Sequence, residues 1–519
     1  MSSASGLEAR TTDERTTEER TVDECTASER TITAVRSSFL RRMFSFPVML
    51  ASLLTVLAVL SVRDRFSDPD MWWHLRTGQI IWNTHTIPTT DLFSWTTHHH
   101  AWVPHEWLSQ VTIYGAYKFG GYSGLMLFLC VCTAALLIAG YILCALYSGN
   151  AKIALLGTLI IWFFATSGLS IRPQLIGYLL LILELLILHL GSTRNPRWFF
   201  CLPLLFVVWV NCHGSFLLGL ILATLLLGCS LFSFRVGLLA TAPWSREAQR
   251  TCALALVLSA AGLFLNPIGL KQVLYPLETI FRLPANLSQV QEWQPMALTT
   301  GRGAGLLLAL VCIGLFVLCR RAQLFAHEVL LLAVGTWLAL AHQRMAFVFG
   351  ILAAPVLTRL CSDAWDAYDA KRDHPIANAI LIAASFLLAF IAFPSRNALA
   401  KQVEEHNPTK AVEFISVQHL QGHMLNDWVF GGYLIWAAPE HPVFIDGRGD
   451  VFEWTGVMAD FAAWAMLESD PHVLLDKYPV DFCLLARGSP MSHVLPLLPG
   501  WKAAYSDDTA IVFVRDRSH

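Results

Sequence analysis

Eleven apolar runs separated by short polar stretches constrain this chain more than any single motif. They begin near Phe46 with FPVMLASLLTVLAVLSV and recur near residues 123–147, 153–169, 174–190, 198–211, 214–233, 251–265, 304–319, 326–341, 345–360 and 376–393. Each approaches the roughly 20 residues needed to cross a bilayer, and in lipid a lone segment satisfies its backbone hydrogen bonds only as a helix. A chain that is 55% hydrophobic and only 14% charged agrees with this pattern. The expected fold class is a polytopic α-helical membrane protein of about 11 spans. A net charge of −2 and the lack of any basic stretch with interleaved aromatics argue against a nucleic-acid partner. The cysteines lie mostly inside the apolar runs without metal-ligand spacing and read as small core residues.

Basic residues set the expected orientation. Arg36, Arg41 and Arg42 precede the first run, which has no cleavage-like segment behind it, so the N-terminus is expected in the cytoplasm. Arg194 with Arg197, Arg235 with Arg246 and Arg250, Arg320 with Arg321, and Lys371 with Arg372 then all fall on that inner side. Residues 1–38, with their repetitive Thr-Glu-Arg composition, read as a disordered cytoplasmic tail. Residues 39–393 form the membrane domain, with a large first outer loop at 64–122, and residues 394–519 lie outside. The expected location is the inner, cytoplasmic membrane.

With that orientation the unusual polar clusters reach one face: Asp68-Pro-Asp70, Arg172-Pro-Gln174, Asn211-Cys-His213, Asn266-Pro, Glu292-Trp and His342-Gln-Arg344. Ionisable groups at membrane depth are costly and commonly mark a site; their shared side makes one convergent site the economical reading. Proline between Asp68 and Asp70 restricts the residue before it and holds the acids at a defined turn. Such a pair can hold a divalent cation (Mg or Mn), or one acid can act as base while the other tunes it. Trp72, Trp73 and Trp82 suit a helix lying at the headgroups, and a second helix is expected from Pro104 to just before Gly120 and Gly121. His105 and Glu106 open that helix; with His74 they join Asp68 and Asp70 as candidate catalytic residues. Arg172, Gln174, His213, Glu292, His342 and Arg344 are the candidate substrate-binding residues of the membrane domain, the arginines suited to phosphate by their planar fork. His98, His99 and His100 read as solvated loop histidines, because consecutive residues rarely converge on one ion. Asn286-Leu-Ser matches a glycosylation sequon.

Residues 394–519 read as a small α/β domain. Helices are expected after Asn407-Pro408 and Asp470-Pro471, and strands at Pro442–Ile445, Asp481–Leu485 and Ala510–Val514. Asp446-Gly-Arg448-Gly-Asp450 follows the first strand, where open α/β sheets place ligands. Asp446 and Arg448 therefore count as candidate binding residues, against the alternative of a turn closed by their own ion pair.

DPDMWWHLRTG at residue 68, VPHEWL, WVNCHGSF and YLIWAAPEHPVFIDGRGD, on an eleven-span frame with an outer C-terminal domain, resemble the GT-C superfamily and bacterial multi-span proteins described as GT-C-like. The resemblance implies a GT-C-like fold and an inverting glycosyltransferase using a polyprenyl-phosphate-linked sugar at the outer membrane face. The acceptor it implies is a glycan, lipid or protein. The C-terminal region departs from the oligosaccharyltransferase pattern in lacking an obvious WWD-type motif, which tells against peptide glycosylation. The alternatives are a transporter, a non-catalytic component of envelope polysaccharide assembly, or an O-antigen ligase or polymerase. A transporter should carry internal repeats, and none is evident.

Overall fold

The computed structural model describes residues 41–282 and 291–516; the N-terminal tail and the Asn286 sequon lie outside them. Every expected apolar run is helical: α1 (Phe46–Val62), α3 (Trp107–Ser148), α4 (Ala151–Ala165), α5 (Pro173–Thr193), α6 (Cys201–Cys212), α7 (Phe216–Ser230), α8 (Arg246–Gly262), α10 (Gly301–Arg320), α11 (Ala326–Ala341), α12 (Ala346–Leu360) and α13 (Pro375–Ala392). Among the described residues, five helical segments are long and apolar enough by length and composition to cross a membrane: α3, α5, α10, α13, and α12 with the turn before it. Among the described residues two further helices lie between these, α2 (Asp70–Thr84) and α9 (Leu270–Arg282).

Local chemistry fixes the helix ends. The Asn150 side chain accepts hydrogen bonds from the Lys152 and Ile153 amides to start α4, and its own amide donates to the Trp365 carbonyl at 2.8 Å. Helix α3 joins the expected outer-loop helix to a span through a kink at Gly121, whose φ of 57° and ψ of −143° suit glycine. At the opposite ends of α11 and α12, half-buried Arg359 pairs with buried Glu328, with Arg359 Nη2 2.6 Å from Glu328 Oε2.

The C-terminal region begins with α14 (Arg396–His406) and α15 (Thr409–Val417). Its sheet has the order β1 (Met424–Asn426), β2 (Phe482–Ala486), β4 (Ala510–Arg515) and β3 (Trp501–Ser506), with β1 parallel to β2 and the other pairs antiparallel. Two expectations change here. Pro442–Ile445 stays outside the sheet and makes a single parallel bridge, Val443 to Ser94. Asn407 does not cap α15; its side chain turns back to the Val403 carbonyl at 2.9 Å. Asp470 does cap the helix Pro471–Lys477, by accepting from the His472 amide.

The segment between α1 and α3 and the C-terminal region share one hydrophobic core, in which Trp73, Phe93 and Trp102 pack with Phe430, Leu434 and Phe444. Backbone bonds join them, Trp95 N to Val443 O at 3.1 Å and Val443 N to Phe93 O at 3.0 Å. At the centre lies Arg448, with no side-chain exposure. Its Nε and Nη2 donate to Asp446 at 2.9 and 2.7 Å, its Nη1 lies 2.7 Å from Asp91 Oδ1, and its guanidinium packs on the Phe93 and Trp102 rings. Breaking a buried charge network leaves uncompensated charge behind, so Arg448→Met is expected to destabilise this region by about 3–5 kcal/mol. Thermal unfolding of the full-length protein in detergent checks this; an unchanged midpoint would refute a central role for the network.

The same packing corrects the placement of the tryptophans. Trp72 is wholly buried among Phe66, Tyr122 and Tyr433, and Trp73 is buried against Trp102. The cause is a roof formed by the helix Trp428–Ala437, which lies over α2. Trp82 alone of the three is half-buried, with Lys118 over its ring.

Candidate active site

Asp70 opens α2, and the Asp68 side chain holds it there by accepting from the Asp70 amide at 3.0 Å. Arg172, in extended backbone just before the Pro173 start of α5, meets both acids: Nε donates to Asp68 Oδ2 at 2.7 Å and Nη1 lies 3.2 Å from Asp70 Oδ2. Glu292 bridges onward, 3.3 Å from Arg172 Nη1 and 3.4 Å from Arg344 Nη1. Arg344 Nε donates to Gln174 Oε1 at 2.7 Å, and Gln174 donates to the Tyr178 hydroxyl. His342 supports this group from behind, with Nδ1 2.7 Å from the Trp293 carbonyl. Six residues from four distant stretches, Asp68, Asp70, Arg172, Gln174, Glu292 and Arg344, thus form one network.

The two aspartates are electrostatically distinct. Burial would raise both, but the charge and hydrogen bond of Arg172 outweigh it at Asp68, which stays below the usual carboxylate range. At Asp70 burial prevails over Arg172 and is reinforced by the Asp68 charge, pushing it up to about 6. Neighbouring acids with separated protonation can divide roles between a fixed charge and a proton acceptor. Trp73 Nε1 donates to Asp70 Oδ1 at 3.2 Å, fixing one oxygen.

Behind this network His74, His105 and His213 surround Glu106. Glu106 Oε1 lies 3.6 Å from both His105 Nε2 and His213 Nε2, and Oε2 lies 3.9 Å from His74 Nδ1. Burial pushes Glu106 up to about 8, His105 down to about 4 and His213 down to about 3, and holds His74 well below its ordinary value. The cluster is therefore largely uncharged near neutral pH. Tyr275 stacks on His105 with ring centres 3.8 Å apart and donates to Asp450 Oδ2 at 3.1 Å. Asp446 and Arg448 form their own buried ion pair, in which Arg448 also faces Asp91. Gly447 between them lies against Asp70, where an added Cβ would sit 1.8 Å from Oδ1.

The arrangement does not fit a divalent cation. The Arg172 guanidinium already stands between Asp68, Asp70 and Glu292, and among the described residues no group of three His, Cys, Asp or Glu is arranged to hold a metal ion. His98, His99 and His100 are exposed, on a turn.

Sequence reasoning missed Arg65, Arg302, Tyr275 and Gly447. Arg65 and Arg302 line the cleft of about 490 Å³ in front of Asp68, together with Arg172 and Arg344. A signal for them existed: both are basic residues on the expected outer side, against the charge bias that orients the other loops. Tyr275 and Gly447 carry no such signal, because only long-range packing brings them to the acids.

This mostly helical fold, with its small C-terminal α/β region, is shared by solved structures. Two solved structures illustrate it. The oligosaccharyltransferase of Archaeoglobus fulgidus, tethered to an acceptor peptide, is similar over 86% of this chain and 70% of its own, with a TM-score of 0.51 and 13% identity. ArnT of Cupriavidus metallidurans, bound to undecaprenyl phosphate, is similar over 91% of this chain and 98% of its own, with a TM-score of 0.51 and 12% identity. No family model and no curated protein sequence matches the chain.

Proposed function

We propose that this chain is an integral membrane glycosyltransferase that moves a sugar from a polyprenyl-phosphate-linked donor to an acceptor hydroxyl at the outer face of the membrane. The observation that carries this reading is the pairing of Asp70, a part-buried carboxyl pushed up to about 6, with an arginine-lined cleft whose wall is formed at the same turn by Asp68 and Pro69. In the proposed single displacement the acceptor oxygen attacks the anomeric carbon and Asp70 takes its proton. The anomeric carbon–oxygen bond breaks, and the electron pair leaves with the lipid phosphate toward the arginines, with inversion. Asp68 and Arg172 act as positioning residues, holding Asp70 beside the leaving group. Purified full-length protein incubated with a panel of sugars linked to polyprenyl phosphate or polyprenyl diphosphate should release the free lipid phosphate or diphosphate from at least one donor when a glycan, lipid or peptide acceptor is present. A protein that neither binds nor turns over any of them would remove the reading.

The same proposal puts the N-terminus in the cytoplasm and the C-terminal region outside the inner membrane. The positions for testing this follow from exposure, since Thr97 is buried on Asp91 whereas His98 and Gly488 are exposed. Cysteines replacing His98 and Gly488 should react with an impermeant thiol reagent on intact cells, and one replacing Glu247 should react only after lysis. Labelling of the Gly488 position only after lysis would invert the C-terminal side.

A further inference from the structure

The arginines of the cleft are not equivalent. Arg172 and Arg344 are committed to Asp68, Asp70 and Glu292. Arg65 and Arg302 line the same cavity with no carboxylate opposite them among the described residues. The Arg65 side chain donates to the Thr166 carbonyl, and burial lowers its pKa with no acid to oppose the shift. Arg302 stands in the first turn of α10, close enough to Arg65 for the two charges to repel. A cation at a helix N-terminus also opposes the helix dipole. Two half-buried guanidiniums that repel each other and a helix end are held at a cost, and an anion placed between them would relieve it. The cleft is wide enough for such a group at about 490 Å³, and its wall continues to Asp68.

Resting on the glycosyltransferase reading, we infer that Arg65 and Arg302 form a second anion subsite, so that the donor is linked through a diphosphate rather than a single phosphate. The sugar-proximal phosphate sits beside Arg172 and Arg344, where the carboxylates temper the positive charge, and the lipid-proximal phosphate sits on Arg65 and Arg302. A diphosphate diester carries two negative charges, one for each pair of arginines, whereas a phosphodiester carries one. Arginine can grip such an oxygen pair with two parallel bonds.

The test compares binding of undecaprenyl diphosphate and undecaprenyl phosphate to full-length protein in detergent by native mass spectrometry, for the wild type and for Arg302→Gln and Arg65→Gln. The expected wild-type preference for the diphosphate lipid is about tenfold or more, the scale of one charge-assisted contact. Each variant should bring that ratio close to one, chiefly by weakening undecaprenyl diphosphate binding. Equal or tighter wild-type binding of the monophosphate lipid overturns the diphosphate assignment but leaves the glycosyltransferase reading standing. A preference that survives both substitutions overturns the role of these arginines. Failure to bind either lipid overturns both readings. Should a glutamine variant fail to fold, Arg302→Lys tests the same contact, because a retained point charge without the fork should give an intermediate ratio.

Discussion

Asp70→Asn should lower sugar transfer by about a thousandfold, within the range attributed to a positioned acid or base. The replacement keeps the shape of the side chain and the contact with Trp73 Nε1, which donates to Oδ1 at 3.2 Å, so lipid binding and expression should stay near wild type. The pH profile separates loss of a base from loss of a fold. Because Asp70 sits at about 6, it must lose its proton to act, and wild-type transfer should fall as pH drops through that value. The residual activity of Asp70→Asn should not show this limb. Asp68→Asn removes the partner that Arg172 Nε holds at 2.7 Å and should slow transfer less. Retention of full activity by both variants would rule out this pair as the catalytic acids.

Gly447→Ala should cost about a hundredfold in kcat, the scale of a displacement near 1 Å at a reacting group. The new Cβ would stand 1.8 Å from Asp70 Oδ1 and 3.3 Å from Trp73 Nε1. The loop cannot easily retreat, since Asp446 and Arg448 on either side are locked into a buried ion pair. Asp70 must yield instead, leaving Trp73 and disturbing Arg172. KM for the lipid donor should change little, because the methyl meets the acid rather than the cleft arginines. Gly488→Ala is the control, as an added Cβ there meets nothing within 4 Å. Wild-type turnover in Gly447→Ala would mean that Asp70 has freedom to move or no catalytic part.

What was legible in the chain follows the range of the interactions concerned. Apolar runs report local helix formation, so all eleven were readable. The Asp68, Arg172, Glu292 and Arg344 clusters were readable as a set because basic residues give each loop a side. Pro442–Ile445 looks like a strand from its residues alone, yet its partner is the first outer loop rather than the sheet. Trp72 and Trp73 look like headgroup anchors until the helix Trp428–Ala437 covers them. Arg448 offered two readings that composition could not separate; the choice depended on Asp91, a residue with no motif of its own.

The core shared by the first loop and the C-terminal region bears on when the protein becomes competent. Thr96 donates to the Phe444 carbonyl across 348 residues of chain, and Gly447 reaches Asp70 over a similar span. Closing so long a loop costs only modest entropy but comes late in assembly. A nascent chain with its first outer loop already emerged would still lack the wall that fixes Asp70. On the proposed function, competence would then arrive only after the C-terminal region has docked, so that a product truncated before it should stay inert toward the donor.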